Sequence, residues 1–397
     1  VATSIYLVLG AIGLYALGLT PFVVLLAGLV FILTSWSYAE ASTAMPDAGG
    51  ATGFARRAFD PMTGFCAGWA LLLDSAVLVA LACLAVPQYL GAVWPQLQQW
   101  PHSVAVAGAV LLVIVALTLG GVPESIRLSS LAAVLGLSTL VLLLVIGLLV
   151  MLRPGDVWSQ VDLGVAPSWA GLLWVLPLAL GAFLGIDTIA GRAEAALRPE
   201  SDVPRALTVV PALVVALAVG LAVVALSVLP VESNVVPVDP ATGLTQPVAV
   251  VPGERQGVYV LAEDPETTVY VPVRRAGGTW VIPAQRPPGA VTEEDGRPVT
   301  RLHGTLLGSD YLRDPVMGLV DGLPAELAWL GTPLRVWVAV VIALALVLVA
   351  SALMGSSGRI VYSLARHRQL PALLGRVGIT HMTPYVGIVL LGAFVGA

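Results

Sequence analysis

A bilayer core about 30 Å thick takes about 20 apolar residues in a helix, and this chain supplies that length repeatedly. Nine segments qualify in whole or in part: Ser4–Gly18, Pro21–Ala44, Met62–Tyr89, Val104–Gly120, Ser129–Leu152, Ser168–Gly191, Ala206–Leu229, Leu334–Leu364 and Thr383–Ala397. Hydrocarbon offers no water to a backbone, so such runs bond their own N–H and C=O groups as helices. Only 11% of the 397 residues are charged, and mean hydropathy is +0.93; a soluble domain carries about 25%. The runs are too many and too long for a signal peptide followed by a soluble domain. The expected class is an all-α polytopic membrane protein of about nine membrane helices.

Arginine orients them. The chain has no lysine, and all 19 basic residues are arginine. Connections near Arg56–Arg57, Arg127, Arg192/Arg198/Arg205 and Arg359/Arg366/Arg368/Arg376 hold ten of these, whereas the alternate short loops Gly91–Ser103 and Arg153–Pro167 hold Arg153 alone. The positive-inside rule places the first set in the cytoplasm. The connection from Pro230 to about Asp314 then falls outside; it is hydrophilic and rich in proline. Within it "TTVYVPVRRAGGTWVIPA" reads as two β-prone runs around a Gly277-Gly278 turn, and "GVYVLA" as a further strand. The expected organisation is membrane helices one to seven over 1–229, a β-rich extracellular insertion over 230–315, then a short outer segment and helices eight and nine over 316–397. Starting at Val1 without methionine and stopping at Ala397 inside an apolar run, the sequence reads as a fragment, cut inside its first helix and near its ninth. Its richness in Ala, Val, Gly and Arg suggests a high-GC bacterial source.

The sixth segment changes character partway. Trp169 to Phe183 gives 15 residues, about 22 Å of helix, which is too short to cross. Gly181 and Gly185 lie where the crossing must be completed, and Pro177 removes a backbone donor upstream. Glycine weakens a helix by about 1 kcal/mol relative to alanine, and freed backbone groups are tolerated at membrane depth only around a protected or hydrated cavity. One reading is a broken helix offering those groups to a solute. The other is a continuous helix with Asp187 near its wet end. Length leaves the two level.

A resemblance separates them. Phe183-Leu184-Gly185-Ile186-Asp187, then Ala193-Glu194, Arg198-Pro199 and Asp202-Val203-Pro204-Arg205-Ala206, resembles helix six and the entry to helix seven of the amino acid–polyamine–organocation (APC) permeases. Ala195 stands where that family usually has a second Glu, and Arg198 where it has Asn. "YAEASTAMPDAGGATGFARRAFDPMTGFCAGWALLLD" (Tyr38–Asp74) is similar to the family's end of helix two, its Pro-x-Ala-Gly-Gly turn and its Gly-Trp start of helix three. "MGSSGRIVYSLARHRQLPALL" and "TPYVGIVLL" are similar to the end of helix eight and the entry to helix nine, with Gly358 interrupting the Gly-x-Ser-Arg region around Ser356, Ser357 and Arg359. The resemblance implies a LeuT-like 5+5 inverted repeat, incomplete here, with solute held between broken helices one and six. Ala2, Thr3 and Ser4 then occupy the unwound part of helix one, and Phe183, Leu184 and Gly185 that of helix six, as candidate substrate-binding residues. The plainer reading of the start is an ordinary helix with Thr3 or Ser4 as N-cap.

Asp74 lies 12 residues into Met62–Tyr89, about 18 Å along the helix and near the midplane. An acid there costs roughly 2.5–3.5 kcal/mol and is rarely kept without a partner or purpose. It is the leading candidate for a coupling-ion site, with Ser75 beside it and Asp187 and Thr188 as weaker candidates. Packing alone, with the carboxyl satisfied by nearby hydroxyls, is the competing reading. Glu40 and Glu194, paired with Arg56, Arg57 or Arg192, are candidate gate residues at cytoplasmic helix ends; solvated interfacial carboxylates are the alternative. Some proton-coupled members of the superfamily carry a helix-five lysine, whose place falls near Gly136 here, so that coupling route is closed to this chain.

Neither Cys66, Cys83 nor the four histidines form a metal-ligand pattern. With no nucleophile–base pair at membrane depth, an enzyme is the least favoured class, and no cofactor is expected. The leading expectation is a secondary transporter moving an amino acid or related amine by alternating access, coupled to a proton or monovalent cation. A potassium-uptake permease of the same superfamily and a membrane sensor with a ligand-binding outer loop are the alternatives. Partners are the solute, the coupling ion and the lipid bilayer, without nucleic acid.

Overall fold

The computed structural model describes residues 4–45, 50–121, 126–152, 155, 159–161, 163–190, 198–253, 259–276, 278–294, 297–378 and 384–396. Its helices follow the apolar segments. α1 (Ile5–Ala16) and α2 (Thr20–Ala44) meet at the tight turn Leu17–Leu19, where Leu17 has φ 46°. α3 (Ala51–Ala58) precedes α4 (Pro61–Gly91). Asp60 caps α4 by accepting the Thr63 amide at 2.6 Å, and Pro61 opens it where a missing N–H costs nothing. α5 (His102–Leu119) and α6 (Ile126–Ile146) follow, the latter running into a π-helical turn over Gly147–Met151. The sixth segment holds two helices, α7 (Trp169–Leu180) and α8 (Ile186–Ala190). α9 (Pro199–Val228), α10 (Pro315–Asp321), α11 (Ala328–Arg366) and α12 (Tyr385–Gly396) complete the set.

Among the described residues six stretches are long and apolar enough to cross a membrane: Ile5–Ala44, Pro61–Gly91, His102–Leu119, Ala133–Met151, Ser201–Val228 and Ala325–Arg366. Trp169–Leu180 and Tyr385–Gly396 are shorter apolar helices. The chain is therefore built as a polytopic membrane protein. The gap between six spans and nine segments arises where helices divide. The Leu17–Leu19 turn runs the first two together in length, the sixth is split, and the ninth is short.

In the bundle α1 packs on α7, α2 on α9, α4 on α11 and α5 on α12. The first four apolar segments thus lie against the sixth to ninth in the same order. Tyr6, Leu9, Ile12, Val24, Leu221 and Ile342 are fully buried between helices, while Phe22, Leu33, Leu112 and Trp174 face outward, as a lipid-facing surface requires. α2 and α9 pack tightly at Gly28, where an added Cβ would meet Val215 Cγ1 at 2.5 Å. The small residue allows the two backbones that approach.

Among the described residues seven strands lie between α9 and α10: β1 (Val231–Pro237), β2 (Val248–Pro252), β3 (Tyr259–Leu261), β4 (Arg274–Ala276), β5 (Thr279–Ile282), β6 (Thr292–Glu294) and β7 (Arg297–Thr305). They form two antiparallel sheets, ordered β1-β7-β6 and β3-β2-β5-β4. Ala276 pairs with Thr279 across the expected hairpin turn, where Gly278 has φ 89°; Gly277 lies outside the described residues. The sheets bury a core of their own, Val236, Val250, Val269, Val271, Ile282 and Leu302, separate from the helix core. Buried Asn234 joins them, its amide donating to the Thr268 carbonyl at 2.8 Å and its oxygen accepting the Tyr270 N–H at 2.9 Å. The Thr305 hydroxyl donates to the Leu229 carbonyl at 2.8 Å, fastening β7 to the end of α9.

Candidate functional site

The sixth segment is broken. α7 stops at Leu180, and the amides of Gly181, Ala182 and Phe183 turn back to the carbonyls of Pro177, Ala179 and Leu180 at 3.3, 3.1 and 3.1 Å. The chain then leaves helical geometry through Leu184 and Gly185. Gly185 has φ 102°, a conformation that side chains rarely adopt. Helix resumes at Ile186. This is the arrangement the resemblance implied and length could not decide. Backbone polar groups freed at such a point are tolerated at membrane depth where they are buried in protein or line a hydrated cavity.

The surrounding side chains come from four elements. Phe183 is buried, and its ring lies 5.4 Å from that of Phe31 on α2, tilted by 32°. The Thr188 hydroxyl donates to the Gly185 carbonyl at 2.6 Å, bracing α8 against the break. Asp187, half-buried at the start of α8, lies within electrostatic range of Tyr38 on α2, Asp74 on α4 and Arg359 on α11. The fold therefore sets Asp187 within electrostatic range of Asp74, the leading coupling-ion candidate of the sequence. Ser75 is buried and donates to the Leu71 carbonyl of its own helix at 2.8 Å, so its proton is committed there.

Elsewhere the candidates are scattered. Ser4 is buried, with a helical backbone and no side-chain capping bond, so the simple N-cap reading does not hold for it. Glu40 is exposed near the end of α2. Ala2, Thr3, Arg192 and Glu194 lie outside the described residues. At Gly136, the place matched to the absent lysine, the carbonyl accepts the Tyr6 hydroxyl at 3.4 Å, and the Tyr6 carbonyl accepts the Tyr89 hydroxyl at 2.7 Å. Phe31 and Tyr38 were not picked out from the sequence. Phe31 is one apolar residue in an apolar helix, and nothing local marks it. Among the described residues no group of three His, Cys, Asp or Glu side chains could hold a metal ion.

Comparison with known proteins bears on the same segments. A family described as amino acid permease matches residues 1–258. The low-affinity putrescine importer PlaP of Escherichia coli (strain K12) is 25% identical over 203 residues, covering 48% of this chain and 42% of that protein. The branched-chain amino acid permease BcaP of Lactococcus lactis is 27% identical over 233 residues, covering 52% and 48%. The lysine-specific permease LysP of the same organism is 28% identical over 204 residues, covering 48% and 39%. The chain spans less than half the length of these curated relatives.

Proposed function

The chain belongs to the amino acid permease family, and from that premise we propose that it carries an amino acid or related amine across the cytoplasmic membrane by alternating access. As a member of a transporter family it is a multi-pass membrane permease and not an enzyme. The observation that carries the proposal is the broken sixth segment, with Asp187 beside the break and Asp74 within its electrostatic range. Packing of the first four segments on the sixth to ninth, in order, supports a 5+5 inverted repeat: that architecture sets equivalent helices of its halves against each other. The relatives' names point to amine and amino acid solutes. They give no support to potassium uptake, and that alternative is set aside.

In this reading the solute's polar groups meet the backbone around Phe183, Leu184 and Gly185, with Ala2, Thr3 and Ser4 as the further candidate binding residues. Asp74 and Asp187, with Ser75 and Thr188 beside them, exchange the coupling proton or cation. Glu40, Arg192 and Glu194 close the cytoplasmic side. An intramembrane carboxyl kept at such cost is a natural ion carrier. The test is uptake of labelled lysine, leucine and putrescine into proteoliposomes under imposed proton and sodium gradients. Asp74→Asn is expected to abolish the gradient dependence while leaving solute exchange measurable. Gradient-driven uptake unchanged in Asp74→Asn would sink the coupling role, and no uptake of any amine or amino acid would sink the transport reading.

A further inference from the structure

A cavity of about 800 Å³ lies between the β sheets and the helix ends beneath them. Its size suits a small organic solute and is far larger than a bare ion needs. The sheet side presents Tyr259 of β3 and Trp280 of β5, with ring centroids 5.1 Å apart and planes at 53°. The connection from β7 to α10 presents Asp310 and Asp314, and Asp321 follows at the end of α10.

These three acids are not equivalent. Asp321 is already matched: it pairs with Arg335 and accepts the Tyr311 hydroxyl at 3.0 Å. Asp310 is not, since its Oδ2 is buried without a hydrogen-bond donor. It lies within electrostatic range of Asp314 and of Tyr259 across the cavity lining. The remaining cation of this lining, Arg313, is an exposed side chain within electrostatic range of Asp314, whereas the charge acting on Asp310 is that of Asp314. A cavity carrying carboxyls short of positive charge, next to aromatic faces, has the chemistry of alkylammonium recognition. A metal ion fits less well, because no metal-holding group of three acids or histidines occurs among the described residues.

We propose that this cavity is a binding site for the protonated amine of an organic solute, with the ammonium held by Asp310 and Asp314 and the carbon chain lying on the Tyr259 and Trp280 rings. The chemistry is shared by amines and amino acids. Its purpose rests on the permease reading: the β sheets then lie on the outer face, and the cavity collects solute before the central site.

The test titrates n-butylammonium chloride into the full chain in lipid nanodiscs at pH 8, followed by calorimetry, with n-butanol as the uncharged control. Asp310→Asn and Trp280→Leu are each expected to weaken butylammonium binding about tenfold, the scale of one lost charge-assisted or cation–π contact. Asp310→Asn relieves a repulsion and is expected to melt no earlier than the parent protein, so lost binding is not lost folding. Binding unchanged in both variants, or butanol binding as tightly as butylammonium, overturns the site. Glycine betaine, leucine and lysine as competitors separate amine from amino acid sources, and displacement by leucine and lysine extends the site to amino acids. Butylammonium binding that depends on Asp310, in a protein without uptake, sustains this site while sinking the transport reading. Intact uptake with binding indifferent to Asp310 does the reverse.

Discussion

At Asp310 and Asp314 a proton and an ammonium compete for the same two carboxyls. Burial, reinforced by Asp314, pushes Asp310 up to about 7; burial, reinforced by Asp321, pushes Asp314 up to about 7. Both are thus neutral at low pH and ionised well above neutrality, and only the ionised form attracts an ammonium. Arg335 pairs with Asp321, which also accepts the Tyr311 hydroxyl; Arg313 lies within electrostatic range of Asp314 and partly offsets its rise; and burial followed by Asp310 pushes the Tyr259 phenol up, so it stays neutral. Titration near pH 7 therefore belongs to the two carboxyls. Amine binding is expected to weaken as pH falls through 7 and, at pH 7, to expel about half to one proton. Calorimetry in two buffers of different ionisation enthalpy measures that number; no release at pH 7, or equal release at pH 9, removes these acids from the site. Neither residue stands out in the sequence, where both look like ordinary loop acids. Asp74 does, because a charge 12 residues inside an apolar run is costly wherever that run packs. Its nearness to Asp187 could not be read, because it depends on how α4, α8 and α11 meet.

The same division between local and long-range information holds for whole elements. A helix occupies each apolar segment because length and hydropathy are local properties. The break in the sixth is different: Gly181 and Gly185 permit it, but permission is not a stop signal, and only similarity to known permeases favoured it. A contact between α2 and α9 was illegible for a related reason. Pro211 inside α9 has no N–H, so the Leu207 carbonyl one turn earlier loses its helical partner. Ser35 of α2, fully buried, donates its hydroxyl to that carbonyl at 2.5 Å. The repair joins residues 172 positions apart, a distance that no periodicity reports. Ser35→Ala would leave a buried carbonyl without a donor, a loss of about 1–3 kcal/mol. Its melting temperature in detergent is expected to drop, whereas Ser35→Ala combined with Pro211→Ala, which restores the helical donor, is expected to recover most of the loss. A double variant no more stable than Ser35→Ala alone would show that the hydroxyl does not repair α9.

On the scale of the whole molecule, the sheet core is fastened to the main helix core by a few tight contacts. The β sheets enclose their own apolar centre, while Gly10 and Gly13 of α1 lie so close to the chain after β7 that an added Cβ would meet the Leu312 carbonyl oxygen at 2.5 Å and Leu307 Cδ2 at 2.8 Å. The Thr305–Leu229 bond adds a second fastening, to α9. These contacts all lie at or beyond Thr305, and none requires the strands from β2 to β6. Pro237 of β1 pairs with Val299 of β7, so residues 238–298 can be replaced by Asn-Gly, the two-residue turn suited to an antiparallel hairpin. The replacement uncovers Val236 and Leu302, which face the sheet core, and leaves the helix core intact. It is expected to fold, with a melting temperature within about 5 °C of the parent, the size of shift that a loss of 1–2 kcal/mol gives in a chain this large. Because Tyr259 and Trp280 go with it, butylammonium binding should be lost, while uptake at saturating solute persists. Aggregation of the shortened chain, or a collapse of its melting transition, would mean that the sheets form part of the structural core of the bundle. Loss of uptake in a shortened chain that still folds would assign the sheets to transport itself rather than to gathering its solute.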